Sequence, residues 1–95
     1  MLKPLNNLLH QQLRLAIMSV LMNTESAEFN YLLEQTEASK GNLSVQLNKL
    51  KAAGYIEVEK SFRNNYPLTT CKITNQGKQA FEEYVNTISS YFKKS

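Results

Sequence analysis

Leu13, Ala16, Ile17, Val20 and Leu21 recur at i, i+3, i+4, i+7 and i+8. That spacing is one face of an amphipathic helix and predicts a helix over His10 to Met22. Leu15, Met18 and Met22 add a second apolar stripe, so this helix is expected to lie between two partners. Upstream, Pro4 can open a short helical turn that carries Leu5, Leu8 and Leu9. The polar run Asn23-Thr24-Glu25-Ser26 breaks the pattern. Phe29, Leu32 and Leu33 then predict a short helix from Phe29 to Glu37. After the tight connection Thr36-Glu37-Ala38-Ser39, Leu43, Leu47 and Leu50 mark a third helix. Ser39 is its expected N-cap, because a hydroxyl there accepts from a backbone N–H of the first turn. Gly54 ends it, being able to take the left-handed conformation.

Beyond Gly54 the period changes from helical to twofold. Tyr55 to Lys60 alternates apolar and charged residues, and Thr69 to Ile73 alternates again with Cys71 and Ile73 on one face. Arg63-Asn64-Asn65-Tyr66-Pro67 between them is turn chemistry, so the pair reads as a β-hairpin. Thr74 or Asn75 caps a last helix of about 18 residues, ~27 Å long, striped by Phe81, Tyr84, Val85, Ile88 and Phe92. The expected class is α+β, mainly α, in a single domain spanning 1–95: a three-helix core, a two-stranded hairpin and a long C-terminal helix.

Composition narrows what this domain can do. One cysteine among 95 residues excludes an intramolecular disulfide and a zinc-finger ligand set, and fits a reducing, cytoplasmic compartment. No apolar run reaches the 18 or so residues of a membrane span, and the start of the chain is a poor signal peptide. No Ser/His/Asp set, carboxylate dyad or Gly-rich phosphate loop can be assembled, so neither an enzyme nor a cofactor site is expected. His10 reads as a surface or interface histidine without a metal role. Cys71, facing inward, reads as a small buried thiol.

Charge is unevenly placed along the chain. Up to Ala38, Lys3 and Arg14 stand against Glu25, Glu28, Glu34 and Glu37. From Ser39 to Arg63, Lys40, Lys49, Lys51, Lys60 and Arg63 stand against only Glu57 and Glu59. The basic excess thus begins with the third helix and points to a polyanion.

Helix, short helix, tight turn, helix, hairpin and long helix is the order of a winged helix-turn-helix. The segments Arg14-Leu15-Ala16-Ile17, Phe29-Asn30-Tyr31-Leu32, Ser39 to Leu50, Ala53-Gly54-Tyr55-Ile56 and Lys72-Ile73-Thr74-Asn75-Gln76-Gly77 occur in that order. With them the chain resembles compact winged-helix transcriptional regulators related to the MarR-like and ArsR-like groups. The resemblance implies a homodimeric, sequence-specific regulator of double-stranded DNA. The paired cysteines that many ArsR-like metal sensors carry are absent, which argues against thiolate metal sensing.

On the third helix, with the leucines inward, Lys40, Asn42, Val45, Gln46 and Lys49 fall on open or flanking faces. Asn and Gln can bond adenine, Lys can reach guanine or phosphate, and a Val methyl can meet a thymine methyl. Ser39 and Ser44 suit phosphate oxygens. On the hairpin, Lys60, Arg63 and Asn64 are expected at the DNA backbone or minor groove. Leu5, Leu8, Leu9, Tyr84, Ile88, Tyr91 and Phe92 exceed what the core needs, so they are expected to pair two copies of the chain. By analogy with such regulators, the resemblance also allows a small apolar effector, of unknown identity, in the groove between those helices. The competing reading is a winged helix that binds protein rather than DNA.

Overall fold

Two side chains, Asn6 and Gln11, divide the start of the chain into separate helical pieces. The Asn6 side-chain oxygen accepts from Leu8 N at 2.9 Å and Leu9 N at 3.1 Å, and His10 N donates to Asn6 O at 2.9 Å. One turn closes there. Gln11, extended, then accepts from Arg14 N at 2.7 Å and caps α1 (Gln12–Met22). The helix starts two residues later than its hydrophobic spacing predicts, because these side chains satisfy N–H groups at the junction. The computed structural model describes residues 2–93.

A two-residue strand, β1 (Ala27–Glu28), leads into α2 (Phe29–Thr36). Two residues have no readable period, so this strand leaves no mark on the hydrophobic pattern. Glu37 closes α2 in the left-handed region with φ 54°. Ser39 then caps α3 (Lys40–Ala52), its hydroxyl accepting from Asn42 N at 3.1 Å. The N-cap therefore forms as its residue type predicts.

The hairpin is longer than its alternation predicts. β2 (Ile56–Arg63) pairs antiparallel with β3 (Tyr66–Ile73), and β1 lies along the other edge of β3, in the order β1-β3-β2. Asn64 and Asn65 make a two-residue turn with φ 51° and 67°. Positive φ at both central residues matches the twist of a tight hairpin, and Asn tolerates it. Pro67, expected in the turn, is instead paired with Phe62 inside the ladder. The flanking pair Arg63 and Tyr66 takes the hydrogen-bonded position, so Phe62 and Pro67 fall at a non-hydrogen-bonded one. The missing Pro N–H costs nothing there.

Gly54, at φ 80°, turns the chain out of α3. The start of α4 (Asn75–Ser90) folds back onto that turn. Thr74 Oγ1 donates to Gly54 O at 2.6 Å and accepts from Gly77 N at 2.9 Å, while Thr74 N donates to Tyr55 O at 3.0 Å. The N-terminal segment runs antiparallel to α4: the Tyr91 hydroxyl donates to Lys3 O at 2.7 Å, and the Tyr84 hydroxyl and His10 Nδ1 are hydrogen-bonded at 2.9 Å. Asn6 Nδ2 donates to the Tyr55 hydroxyl at 2.9 Å beside them.

The core joins Leu9, Leu13, Ile17, Met18 and Leu21 to Leu32, Leu43, Leu47 and Leu50, with Ala27, Ile56, Cys71, Ile73 and Tyr84 closing it. The radius of gyration is 14.6 Å and the extents are 57 × 25 × 21 Å. A rounded domain of this length would have roughly 12 Å. The molecule is elongated, as a body with protruding elements is.

Cys71 is buried, and desolvation pushes its thiol up to about 11. The folded state therefore holds the proton that the unfolded chain loses near 9. Its contribution to stability is complete below pH 9 and is lost as pH rises toward 11. Native protein is expected to react with an aromatic disulfide reagent at pH 8 many times more slowly than protein in denaturant. Equal rates would show an accessible thiol.

Candidate nucleic-acid interface

The left-handed Glu37 and the Ser39 cap turn the chain abruptly between α2 and α3 and fix where α3 begins. Leu43, Leu47 and Leu50 lock its inner side into the core. Lys40, Asn42, Ser44, Val45, Asn48 and Lys49 are exposed, with Val45 at 49 %. An exposed β-branched residue amid polar ones suits an apolar feature of a partner, such as a thymine methyl. The first turn of α3 holds no acidic residue and starts with Lys40. A cation is unfavourable against the positive end of a helix dipole, so this turn favours an external anion.

Gln46, contrary to its expected place, is not on the open face. It is 8 % exposed, on the same inward stripe as Leu43, Leu47 and Leu50. Its Oε1 accepts from Arg14 Nη1, and its Nε2 donates to Asn42 Oδ1 at 3.0 Å. Arg14 Nε in turn donates to Leu8 O at 2.6 Å. The physical cause is helical geometry: positions 43, 46, 47 and 50 form one complete stripe, and a polar residue on it is retained by pairing with a facing helix. The chain of bonds runs from the Leu8 carbonyl through Arg14 and Gln46 to Asn42. It engages the Asn42 amide oxygen, while the Asn42 side chain remains exposed.

On the hairpin, Lys60 and Asn64 are exposed, as expected. Arg63 is exposed too, but it is not a free cation. Its Nη2 lies 2.9 Å from Glu28 Oε2 and its Nη1 3.5 Å from Glu28 Oε1. The pair ties the hairpin to the strand that precedes α2. Both partners are solvent-exposed, so the pair is worth at most about 1 kcal/mol and a phosphate can displace it. Lys72, also on the hairpin, pairs with Glu57 at 3.5 Å.

Two of the residues expected between copies of the chain are consumed within one copy. Leu9 is fully buried and Tyr84 is 4 % exposed, because the N-terminal segment is strapped along α4. Leu5, Leu8 and Ile88 are half-buried against the same core, while Tyr91 and Phe92 remain exposed together with Leu2 and Val85. Among the described residues no cluster of His, Cys, Asp and Glu could hold a metal ion, and no helix is long and apolar enough to cross a membrane.

Residues 13–92 match the family described as the winged helix DNA-binding domain. Over 75 residues the chain is 40% identical to an uncharacterized protein of Methanocaldococcus jannaschii, covering 79% of this chain and 82% of that one. Its fold is similar to that of a transcriptional regulator homologue from Pyrococcus horikoshii OT3, with a TM-score of 0.84 at 22% identity over 90% of this chain and 85% of the other. A MarR-family transcriptional regulator from Silicibacter pomeroyi superposes with a TM-score of 0.70 at 14% identity, over 88% of this chain and 56% of that one.

Proposed function

Since the chain belongs to the winged-helix DNA-binding domain family, we propose that it is a sequence-specific regulator that binds duplex DNA as a homodimer, with α3 in the major groove. The observation that carries this reading is the exposed polar face of α3, opposite a leucine stripe that fixes the helix to the core. Asn42 addresses a base edge, Val45 a thymine methyl, and Lys49 a guanine or a phosphate. Ser39, Lys40 and Ser44 hold the backbone, and Lys60 and Asn64 hold it alongside through the hairpin, the wing. Gln46 acts through Asn42. It makes no base contact of its own.

Sequencing the duplexes selected from a random pool tests the proposal. The expected site has two half-sites related by twofold symmetry, their centres ~34 Å apart. Asn42→Ala should cost ~1–3 kcal/mol on that site and relax preference at one base pair per half-site. Gln46→Leu makes the stripe wholly apolar and frees the Asn42 amide, so it should relax preference at the same base pair and add little to Asn42→Ala. Selection of no common sequence by the wild-type chain would refute the reading. An independent loss of preference at a second base pair in Gln46→Leu would refute the role given to Gln46.

The two copies are proposed to meet through Val85, Tyr91, Phe92 and Leu2, with the half-buried Leu5, Leu8 and Ile88 behind them. Val85→Glu combined with Phe92→Glu should give a folded monomer by light scattering. A dimer of unchanged mass would place the interface elsewhere.

A further inference from the structure

Cross-strand partners share a face, and faces alternate along the wing. One face carries Ile56, Val58, Lys60 and Phe62 opposite Ile73, Cys71, Thr69 and Pro67. At its lower end Ile56, Cys71 and Ile73 are buried against the helices. At its upper end the same face emerges into solvent as Phe62, 76 % exposed, beside an exposed Pro67. No other large exposed hydrophobic residue lies on this face; Tyr66 stands on the opposite one, with Arg63.

We propose that this end of the wing is an apolar wedge for duplex DNA, in which Phe62, backed by Pro67, enters the minor groove and unstacks a base step. The proposal rests on the DNA-binding reading above and goes beyond it, since it assigns specificity to a residue that makes no hydrogen bond to a base.

Three observations choose DNA as the occupant. From Lys60 to Thr69 the hairpin holds no acidic residue, and Lys60, in no ion pair among the described residues, lies on the Phe62 face, so the apolar tip has a cation beside it to meet a phosphate. The tip is also continuous with the α3 interface. Pro67 and Thr69, on the Phe62 face, line one cleft with Lys40, Phe29 and Asn30, and Glu28, which also borders it, is held by Arg63. Finally, the backbone of the tip is restrained: the Asn64-Asn65 turn spans only two residues, and Pro67 fixes its own φ. A Phe on such a backbone, beside a Pro, is the kind of wedge that opens a base step and kinks the duplex toward the major groove. Pyrimidine–purine steps unstack most readily, so the wedge should favour TA or CA/TG at its position.

The test uses the full chain and a duplex selected by it, with 2-aminopurine placed in turn at the steps flanking each half-site. Wild-type protein should raise fluorescence at one flanking step and bend the duplex in a permuted-fragment gel assay. Phe62→Ala should abolish both signals and weaken binding roughly tenfold or more, while the salt dependence stays as it was. Tyr66→Ala, on the opposite face, should keep both signals. Unchanged fluorescence and bending in Phe62→Ala would overturn the wedge alone and leave α3 recognition standing. A change of oligomeric mass in Phe62→Ala, with the DNA signals intact, would also overturn it by making the tip a protein contact. If the wild-type chain retains no duplex at all, the DNA reading fails, and the wedge with it.

Discussion

Affinity for duplex DNA is expected to fall roughly 10³- to 10⁴-fold between 50 and 200 mM salt. Each protomer brings Lys40, Lys49 and Lys60 to the proposed interface, and none of them forms an ion pair among the described residues. Two protomers of the proposed dimer would then neutralise about six phosphates, or about eight if both Arg63 side chains exchange Glu28 for a phosphate. At roughly 0.9 counterions released per phosphate, log K against log salt should slope at about −5 to −7. The ion pair makes the two wing cations unequal. Lys60→Ala should make the slope shallower by about one unit for each phosphate left without its lysine. Arg63→Ala should change it less, because its charge is already opposed by Glu28 in the free protein. Glu28→Gln should have the reverse effect: it frees Arg63, tightens binding and steepens the slope. Filter binding across a salt series measures all four proteins. A flat response in the wild type would mark the chain as a winged helix that binds protein, and a slope in Glu28→Gln no steeper than wild type would remove Arg63 from the interface.

The fold is readable wherever a long period or a single capping residue decides the geometry. The α1, α3 and α4 stripes are periodic over several turns, and Ser39, Gly54 and Thr74 are residues whose chemistry fits one position of a helix end. The boundaries move where side chains without a periodic signal intervene. Asn6 and Gln11 cut α1 short, and the position of Pro67 in the ladder depends on which pair flanks the Asn64-Asn65 turn. β1 is unreadable because its two residues are defined only by pairing with Thr70 and Cys71, more than forty positions away in the chain.

The site shows a different limit. The exposure of Asn42, Val45 and Lys49 follows from the helical step alone, since the leucines fix which side is inward. Gln46 follows from the same step: it completes the stripe of Leu43, Leu47 and Leu50, and its amide needs a buried partner. That signal is present in the chain, and residue type points the other way, because Gln is also a base reader. The partner itself, Arg14, cannot be inferred, nor can the Arg63–Glu28 pair, as both join residues more than thirty positions apart. Leu9 and Tyr84 read as outward for a related reason. An apolar stripe does not say whether another segment of the same chain or a second copy covers it, and here the N-terminal segment covers that part of α4.

The largest single effect on stability is expected at Gly77. A Cβ there would stand 2.1 Å from the Tyr55 carbonyl oxygen and 2.9 Å from Ile73 Cγ1. The first contact is with backbone, which cannot rotate away as a side chain does. Tyr55 O also accepts from Thr74 N, and Thr74 Oγ1 both donates to Gly54 O and accepts from Gly77 N. Making room for one methyl group therefore breaks the junction at which the exit of α3, the return of β3 and the start of α4 meet. Gly77→Ala would gain up to about 1 kcal/mol from helix propensity. Against this stand a buried hydrogen bond and cap, worth ~1–2 kcal/mol each, and the strain of overpacking, ~1–3 kcal/mol. The net loss of about 3 kcal/mol is a large part of the roughly 5–15 kcal/mol typical of a domain. Thermal melting of Gly77→Ala should come at least about 12 °C below wild type. Its DNA affinity at low temperature should fall as well, because the same junction sets the angle of the wing to α3. Gly41 supplies the control: a Cβ there meets nothing within 4 Å, so Gly41→Ala should melt no lower than wild type. A melting point for Gly77→Ala within a few degrees of wild type would show that the junction yields more readily than its hydrogen bonds imply.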